Sequence, residues 1–302
     1  MLYRGFIVIV LLAILLHSTR ADEPTTLPAR TDPFGITYLH PTHTGGREWF
    51  ANWNNHHSRS FTNAIDPDDK WFDTDHGDGN YSIDGNGTLT ATGPVVRMYV
   101  HDPALQFEWA ENLEITIYVT RISETKHVSY AGLQIFARTN HGTTAPETKN
   151  LCDTRGYGAK ICDDGRFELE KETCHGSNNG TPDVATQTPW KELPKNAPIG
   201  IKYILRNSDH DTKVHLEIYR DLTNGKNGGD WQKMTEFTDD GTNFGVASTP
   251  AKKSLDPALP LLYAKVLPDS ESKKPMISVY FRHEYATMQY SRASIRQIDP
   301  LP

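Results

Sequence analysis

The chain has 302 residues, with 38 acidic and 31 basic side chains, a formal net charge of -7, 22 Gly, 19 Pro, 3 Cys and 37% hydrophobic residues. These figures exclude a multi-pass membrane protein, a collagen-like chain and a disulfide-dense miniprotein. The acidic balance also excludes bulk electrostatic binding of nucleic acid.

Residues 1–21 hold Arg4, an unbroken apolar run from Phe6 to Leu16, and then Thr19-Arg20-Ala21, with small residues at the two positions a signal peptidase reads. That run is too short to cross a bilayer at ~20 residues per crossing, so it reads as a secretory signal peptide with no stable membrane insertion. Its removal takes away two basic residues and no acidic one, which makes the mature chain more acidic still. Residues 22–32, rich in Pro and Thr, read as a disordered lead. Residues 33–302 read as one domain, because no later linker is long enough to divide them. Sequons at Asn80, Asn86 and Asn179 fit an extracellular destination.

From there the chain repeats runs of five to nine residues with Val, Ile, Tyr, Phe and Thr at period two, bounded by Gly, Asn, Asp or Pro. No window carries a helical stripe, so the expected fold is all-β, a single antiparallel sandwich. In chain order the expected strands are Glu48 to Trp53, Thr88 to Thr92, Val95 to Val100, Leu113 to Arg121 and Leu133 to Arg138. A hairpin follows, Gly156 to Ile161 and Arg166 to Thr173 about the turn Asp163-Asp164-Gly165. The later strands are Ile201 to Arg206, Val214 to Arg220, Lys233 to Thr238, Leu261 to Val266, Ile277 to His283 and Tyr290 to Ile298.

All three cysteines lie close together, at Cys152, Cys162 and Cys174. Folding the hairpin about its turn sets Cys152 nearly opposite Cys174 and leaves Cys162 at the turn. The register therefore predicts a Cys152–Cys174 bridge and a Cys162 that is free or intermolecular.

Side-chain alternation selects the polar candidates. With Leu133, Ile135 and Ala137 on the core, Gln134, Phe136 and Arg138 face outward. By the same parity Tyr280 and Arg282 face away from Val279 and Phe281, and His215, Glu217 and Tyr219 away from Val214, Leu216 and Ile218. On the hairpin, Lys160 sits with Gly158, and Glu168, Glu170 and Glu172 share one face. The loop Asp73-x-Asp75-x-x-Asp78-Gly79 gathers three carboxylates that suit a hard cation such as structural calcium, although no cofactor is required by the reading. His40, His43, His56 and His57 flank loops and read as surface or core-lining residues, and Trp49, Trp53 and Trp71 as core.

The Trp-rich N-terminal part, the strand L-E-I-T-I-Y from Leu113, the strand G-L-Q-I-F-A-R from Gly132 and the closing Y-S-R-A-S-I-R-Q-I from Tyr290 together resemble the concanavalin A-like jelly roll. This is the fold of legume lectins, laminin G-like modules, laminarinase-type glucanases and several polysaccharide lyases. The resemblance covers most of the mature chain as a pattern, singles out no one family, and implies a groove for a polysaccharide or glycoconjugate glycan. Arg121-Ile-Ser-Glu124, Gln134-Ile135 and Tyr290-Ser-Arg292-Ala293 resemble parts of the alginate-lyase motifs, with Phe136 where those carry a His. That likeness implies an acidic glycan, Gln134, Arg138, Lys160 and Arg282 as substrate-binding residues, and Tyr219, Tyr280 or His215 as the proton-transfer residue. The run Glu168 to Glu172 resembles the laminarinase strand motif with Glu170 in place of its Asp, which implies a retaining glycosidase using Glu168 and Glu172. A non-catalytic lectin-like module is the alternative from another class, and a structural cell-surface role a third.

Overall fold

The structure is a computed structural model, and it describes residues 30–143, 155–173, 183–244, 260–261 and 277–302. Alternation of apolar and polar residues makes each strand one-sided, and the one-sided strands pair in register into a wholly antiparallel sheet. In chain order these are β1 (Glu48–Phe50), β2 (Arg59–Thr62), β3 (Ile65–Asp66), β4 (Asp69–Asp73), β5 (Asp78–Ile83) and the long β6 (Leu89–Val100). Next come β7 (Leu113–Glu124), β8 (Gly132–Thr139), β9 (Gly156–Cys162), β10 (Phe167–Glu172), β11 (Val184–Gln187), β12 (Ile199–Ser208), β13 (Lys213–Asp221), β14 (Gln232–Asp239) and the 20-residue β15 (Ser278–Gln297). The only helical element among the described residues is a 3-10 turn at Lys226–Gly228.

One strand makes the sandwich. Along a single edge, β15 pairs first with β8, through Tyr280 to Arg282, and then with β7, through Ala286 to Gln297. Its other edge carries β6 from Val279 to Tyr290. The sheet therefore splits at β15 into a front layer, β8-β9-β10-β11, and a back layer, β7-β12-β13-β14. The inward parity of both layers fills one apolar cluster: Leu133, Ile135, Ala159, Ile161 and Leu169 from the front meet Leu113, Ile115, Ile201, Leu205 and Leu216 from the back. Polar bonds close the far edge. The Lys171 ammonium lies 2.8 Å from Asp239, the Tyr157 hydroxyl donates to the same carboxylate at 2.5 Å, and the Thr235 hydroxyl donates to the Ala185 carbonyl.

The fold is thus the expected antiparallel jelly-roll sandwich, with two differences in strand count. The expected strands Thr88 to Thr92 and Val95 to Val100 are one strand, β6, and Ile277 to His283 and Tyr290 to Ile298 are one strand, β15. The reason lies in register: Glu284 pairs with Val95 and Ala286 with Gly93, so Tyr285 stands opposite Pro94. Tyr285 takes φ 52 opposite the proline, which has no N–H to donate, and both strands run through with no shift of register. The strands β2 to β5 and β11 were not anticipated; they are short or carry polar residues on both faces. The expected strand Leu261 to Val266 lies outside the described residues except for Leu261, as do the signal peptide, Cys152, Cys174 and Asn179.

Candidate functional site

The outer face of the front layer collects polar and aromatic side chains into two rows that run across the strands. The first row is Arg97, Arg282, Gln134, Lys160 and Glu168, each the register partner of the next. The second row, two residues along, is Tyr99, Tyr280, Phe136, Gly158 and Glu170. Alternation alone brings these residues together, because every second side chain of five adjacent strands points the same way.

The second row is an aromatic stack. Tyr99 and Tyr280 lie with ring centroids 5.0 Å apart, and Phe136 and Tyr280 lie 5.0 Å apart and only 4° from parallel. Gly158 makes room for it: a Cβ there would stand 2.9 Å from the Phe136 ring. All three rings are buried, so they form the floor of the face rather than an exposed stacking platform.

His141 closes over this floor from the end of β8. Its ring lies 5.3 Å from that of Tyr280 and 6.3 Å from that of Phe136. The Glu172 carboxylate engages its Nδ1 at 2.8 Å, and its carbonyl accepts the Tyr99 hydroxyl at 2.9 Å. A carboxylate on one ring nitrogen fixes the tautomer and orientation of a histidine. Sequence reasoning missed His141 because it follows the strand, where parity carries no information; the structure sets its ring beside that of Phe136.

The Tyr280 hydroxyl and the Arg282 Nε on this face are buried without a hydrogen-bond acceptor among the described residues. They sit two residues apart on the same side of β15. Burial raises the Tyr280 phenol well above its ordinary value, so it stays protonated through the neutral range. Arg282 is anchored at its other end by Glu284. Gln134 lies opposite Arg282 and donates to the Tyr130 carbonyl at 3.3 Å.

The carboxylates of β10 differ sharply from one another. Glu168 is clamped by the Lys160 ammonium at 3.0 Å and the Arg166 guanidinium at 2.8 Å, and receives the Cys162 thiol at 3.5 Å. Lys160 also holds Asp183 at 2.9 Å. Glu170 makes no hydrogen bond among the described residues, with Lys160 3.9 Å away. Burial, only partly offset by Lys160 and reinforced by Glu172, pushes it up to about 7. Glu172 is engaged by His141.

The remaining expected residues lie elsewhere. Arg138 does not share a face with Gln134. It takes φ 51 in a bulge where two residues, Ala137 and Arg138, oppose the single Val279, and it donates from Nε to the Glu111 carbonyl at 3.1 Å and from Nη1 to the Leu261 carbonyl at 2.7 Å. The bulge reverses the parity that the sequence implies, and Arg138 becomes a tie inside the sandwich. His215 and Tyr219 sit on the outer face of the back layer, on the far side of the core from Tyr280. There the Tyr219 hydroxyl donates to Glu217 at 3.0 Å, and Lys233 approaches Glu217 at 2.5 Å and Glu236 at 2.7 Å. Burial alone would raise Glu217, but His215 and Lys233 hold it at about 2.

The three aspartates proposed for calcium do not converge. Asp73 is buried against His101 Nε2 at 3.0 Å, while the exposed Asp75 lies in the turn after β4 and the exposed Asp78 opens β5. The one cluster of three possible metal ligands among the described residues is His215, Glu217 and Glu236, where the Lys233 ammonium already sits. Cys162 is buried and free, which leaves no role in an intermolecular bridge; burial and the nearby Glu168 raise its thiol and keep it protonated. Asn80 and Asn86 are exposed.

No protein-family model matches the chain, and no curated protein matches it. Solved structures do. The chain is similar to the VIP36 exoplasmic/lumenal domain in a Ca2+/Man-bound form (8% identity, TM-score 0.44), over 83% of this chain and 92% of that one. It is similar to a Bacillus subtilis protein of unknown function with a galectin-like fold (12%, TM-score 0.41, 83% and 100% covered) and to lectin II from Ulex europaeus (12%, TM-score 0.40, 80% and 98% covered). The likeness lies in the arrangement of sheets and assigns no residue a role.

Proposed function

We propose that the protein is a secreted polysaccharide lyase that takes a uronate-containing glycan across the outer face of its front layer. The observation that carries this reading is the pair of buried, unpartnered donors, Arg282 Nε and the Tyr280 hydroxyl, beside the Glu172–His141 pair. Buried donors without acceptors are costly, at about 1–3 kcal/mol each, and an oxygen-rich anionic ligand relieves that cost. A uronate carboxylate would lie against Arg282 and Gln134, accepting from the unpartnered Arg282 Nε in a charge-assisted hydrogen bond. Its neutralisation acidifies the C5 proton. His141, oriented by Glu172, takes that proton; the electron pair forms the C4–C5 double bond; the C4–O bond breaks; and Tyr280, kept protonated by burial, donates to the leaving oxygen. The run from Arg4 through Ala21 supports the secreted destination.

A second reading rests on Glu170. A half-buried carboxyl near 7 on the same strand face as Glu172 is suited to be the general acid of a glycosidase. A screen of purified protein on uronate-containing and neutral polysaccharides distinguishes them. The lyase reading predicts unsaturated products that absorb in the ultraviolet, from uronate polymers alone. Reducing ends without that absorbance would establish hydrolysis, and binding without product a lectin.

A further inference from the structure

On the opposite side of the sandwich, residues of the N-terminal segment and the outer face of the back layer enclose a cavity of about 420 Å³. Ser291 and Arg292 line it where β15 is bulged between Ser291 and Ser294, with Arg292 at φ 52. Gln289 and Thr120 are register partners on its wall, Ser291 follows, and Asn54 approaches from the N-terminal segment. The side chains of these four residues make no hydrogen bond among the described residues. Phe34 and Trp53 supply apolar surface, and the Trp53 indole N–H is buried without an acceptor. Among the described residues that line the cavity there is no Asp, Glu or Lys. Its one cation, Arg292, is held in place: Nη1 donates to the Asn224 carbonyl at 2.8 Å and to its side-chain oxygen at 3.0 Å, and the guanidinium lies over the Tyr118 ring at 4.7 Å.

We infer that this cavity is a second glycan site, specific for a neutral saccharide of one or two rings. Carboxamides and hydroxyls both donate and accept, which matches the alternating demands of sugar hydroxyls. The volume falls within the ordinary range for small-ligand sites, about 300–1,000 Å³. With that guanidinium held by Asn224 and Tyr118 and no Lys beside it, a uronate carboxylate would be poorly paired there, so the cavity favours neutral sugars over the charged ones proposed for the front face. It would anchor the protein to a polymer without touching the bond that is cut. The inference stands whether or not the front face is catalytic, since it uses none of that face's residues.

The test is a titration of the protein, produced without glycosylation at Asn86 because that residue lines the cavity, with methyl glycosides of mannose, glucose and galactose and with methyl glucuronide, followed by NMR. At least one neutral glycoside should bind with a millimolar dissociation constant, and the glucuronide at least tenfold more weakly. Asn54→Ala and Gln289→Ala should each weaken the neutral glycoside at least tenfold, with Thr120→Val as a third variant that removes only a hydroxyl; Tyr280→Phe should leave it unchanged. No binding by any neutral glycoside, preference for the glucuronide, or binding lost in Tyr280→Phe but kept in the cavity variants would overturn the inference.

Discussion

Glu114 and Glu170 are the same residue type on strands of the same sandwich, each pointing outward from its layer, and their chemistry is opposite. On the back layer, Glu114 accepts from the Leu39 amide at 3.2 Å, the His40 amide at 2.8 Å and the Lys202 ammonium at 2.7 Å, with Arg296 at 2.9 Å. Burial alone would raise it, yet Lys202 and Arg296 hold it below the ordinary carboxylate range. On the front layer, Glu170 has Lys160 at 3.9 Å and no hydrogen bond among the described residues, and burial carries it up to about 7. Depth of burial therefore does not decide the direction of the shift, since the fully buried Glu114 is lowered and the half-buried Glu170 is raised. Partners decide, and a buried polar group that lacks them marks the face where a ligand belongs.

The strongest way to break this contrast is at Tyr280. Removing its hydroxyl in Tyr280→Phe takes away the proposed proton donor but also an unsatisfied buried group. Turnover should fall ~10²- to 10⁴-fold while stability holds or rises, as read by product absorbance and urea unfolding. Retained turnover would place the chemistry elsewhere.

Glu114→Ala should do the reverse. It strands Lys202 and Arg296, both buried, without their shared carboxylate, at a cost of about 3–5 kcal/mol in urea unfolding. Whatever folds should keep its activity. A loss near zero would mean that the two cations find other partners.

The smallest effect is a difference in pH dependence. Glu170 is raised in the folded state, so between its unfolded value and about 7 the folded chain holds the extra proton, and stability falls as pH rises through that window. Glu170→Gln removes this slope. Unfolding free energies of wild type and variant should therefore diverge from about pH 5 to 7 by on the order of 1–3 kcal/mol, the variant being the more stable at pH 7. Glu114 has the opposite sign: its contribution is present above its unfolded value and lost as pH falls through its lowered folded value. Parallel curves for wild type and Glu170→Gln would show that Glu170 is paired in solution.

Much of this face was legible from alternation. Gln134, Phe136, Lys160, Tyr280, Arg282 and the three glutamates of β10 share a side because period two is a property of the extended backbone itself. Three things were not legible. Parity cannot say which layer a strand joins, so His215 and Tyr219 were grouped with residues that lie across the core. A bulge leaves no unambiguous mark, and the φ 51 at Arg138 turned an expected ligand-binding arginine into an interior tie. His141 reaches the site from beyond a strand end, two residues past Thr139, whose hydroxyl accepts its amide.

The central claim, that Arg282, His141 and Tyr280 together remove the C5 proton of a uronate, is tested most directly by the fate of that hydrogen. An oligosaccharide carrying deuterium at C5 of its uronate would be cleaved by the wild-type chain and its products examined by mass spectrometry. The account predicts products whose new non-reducing ends have lost the deuterium and absorb in the ultraviolet. Cleaved products that retain deuterium at C5 would contradict it.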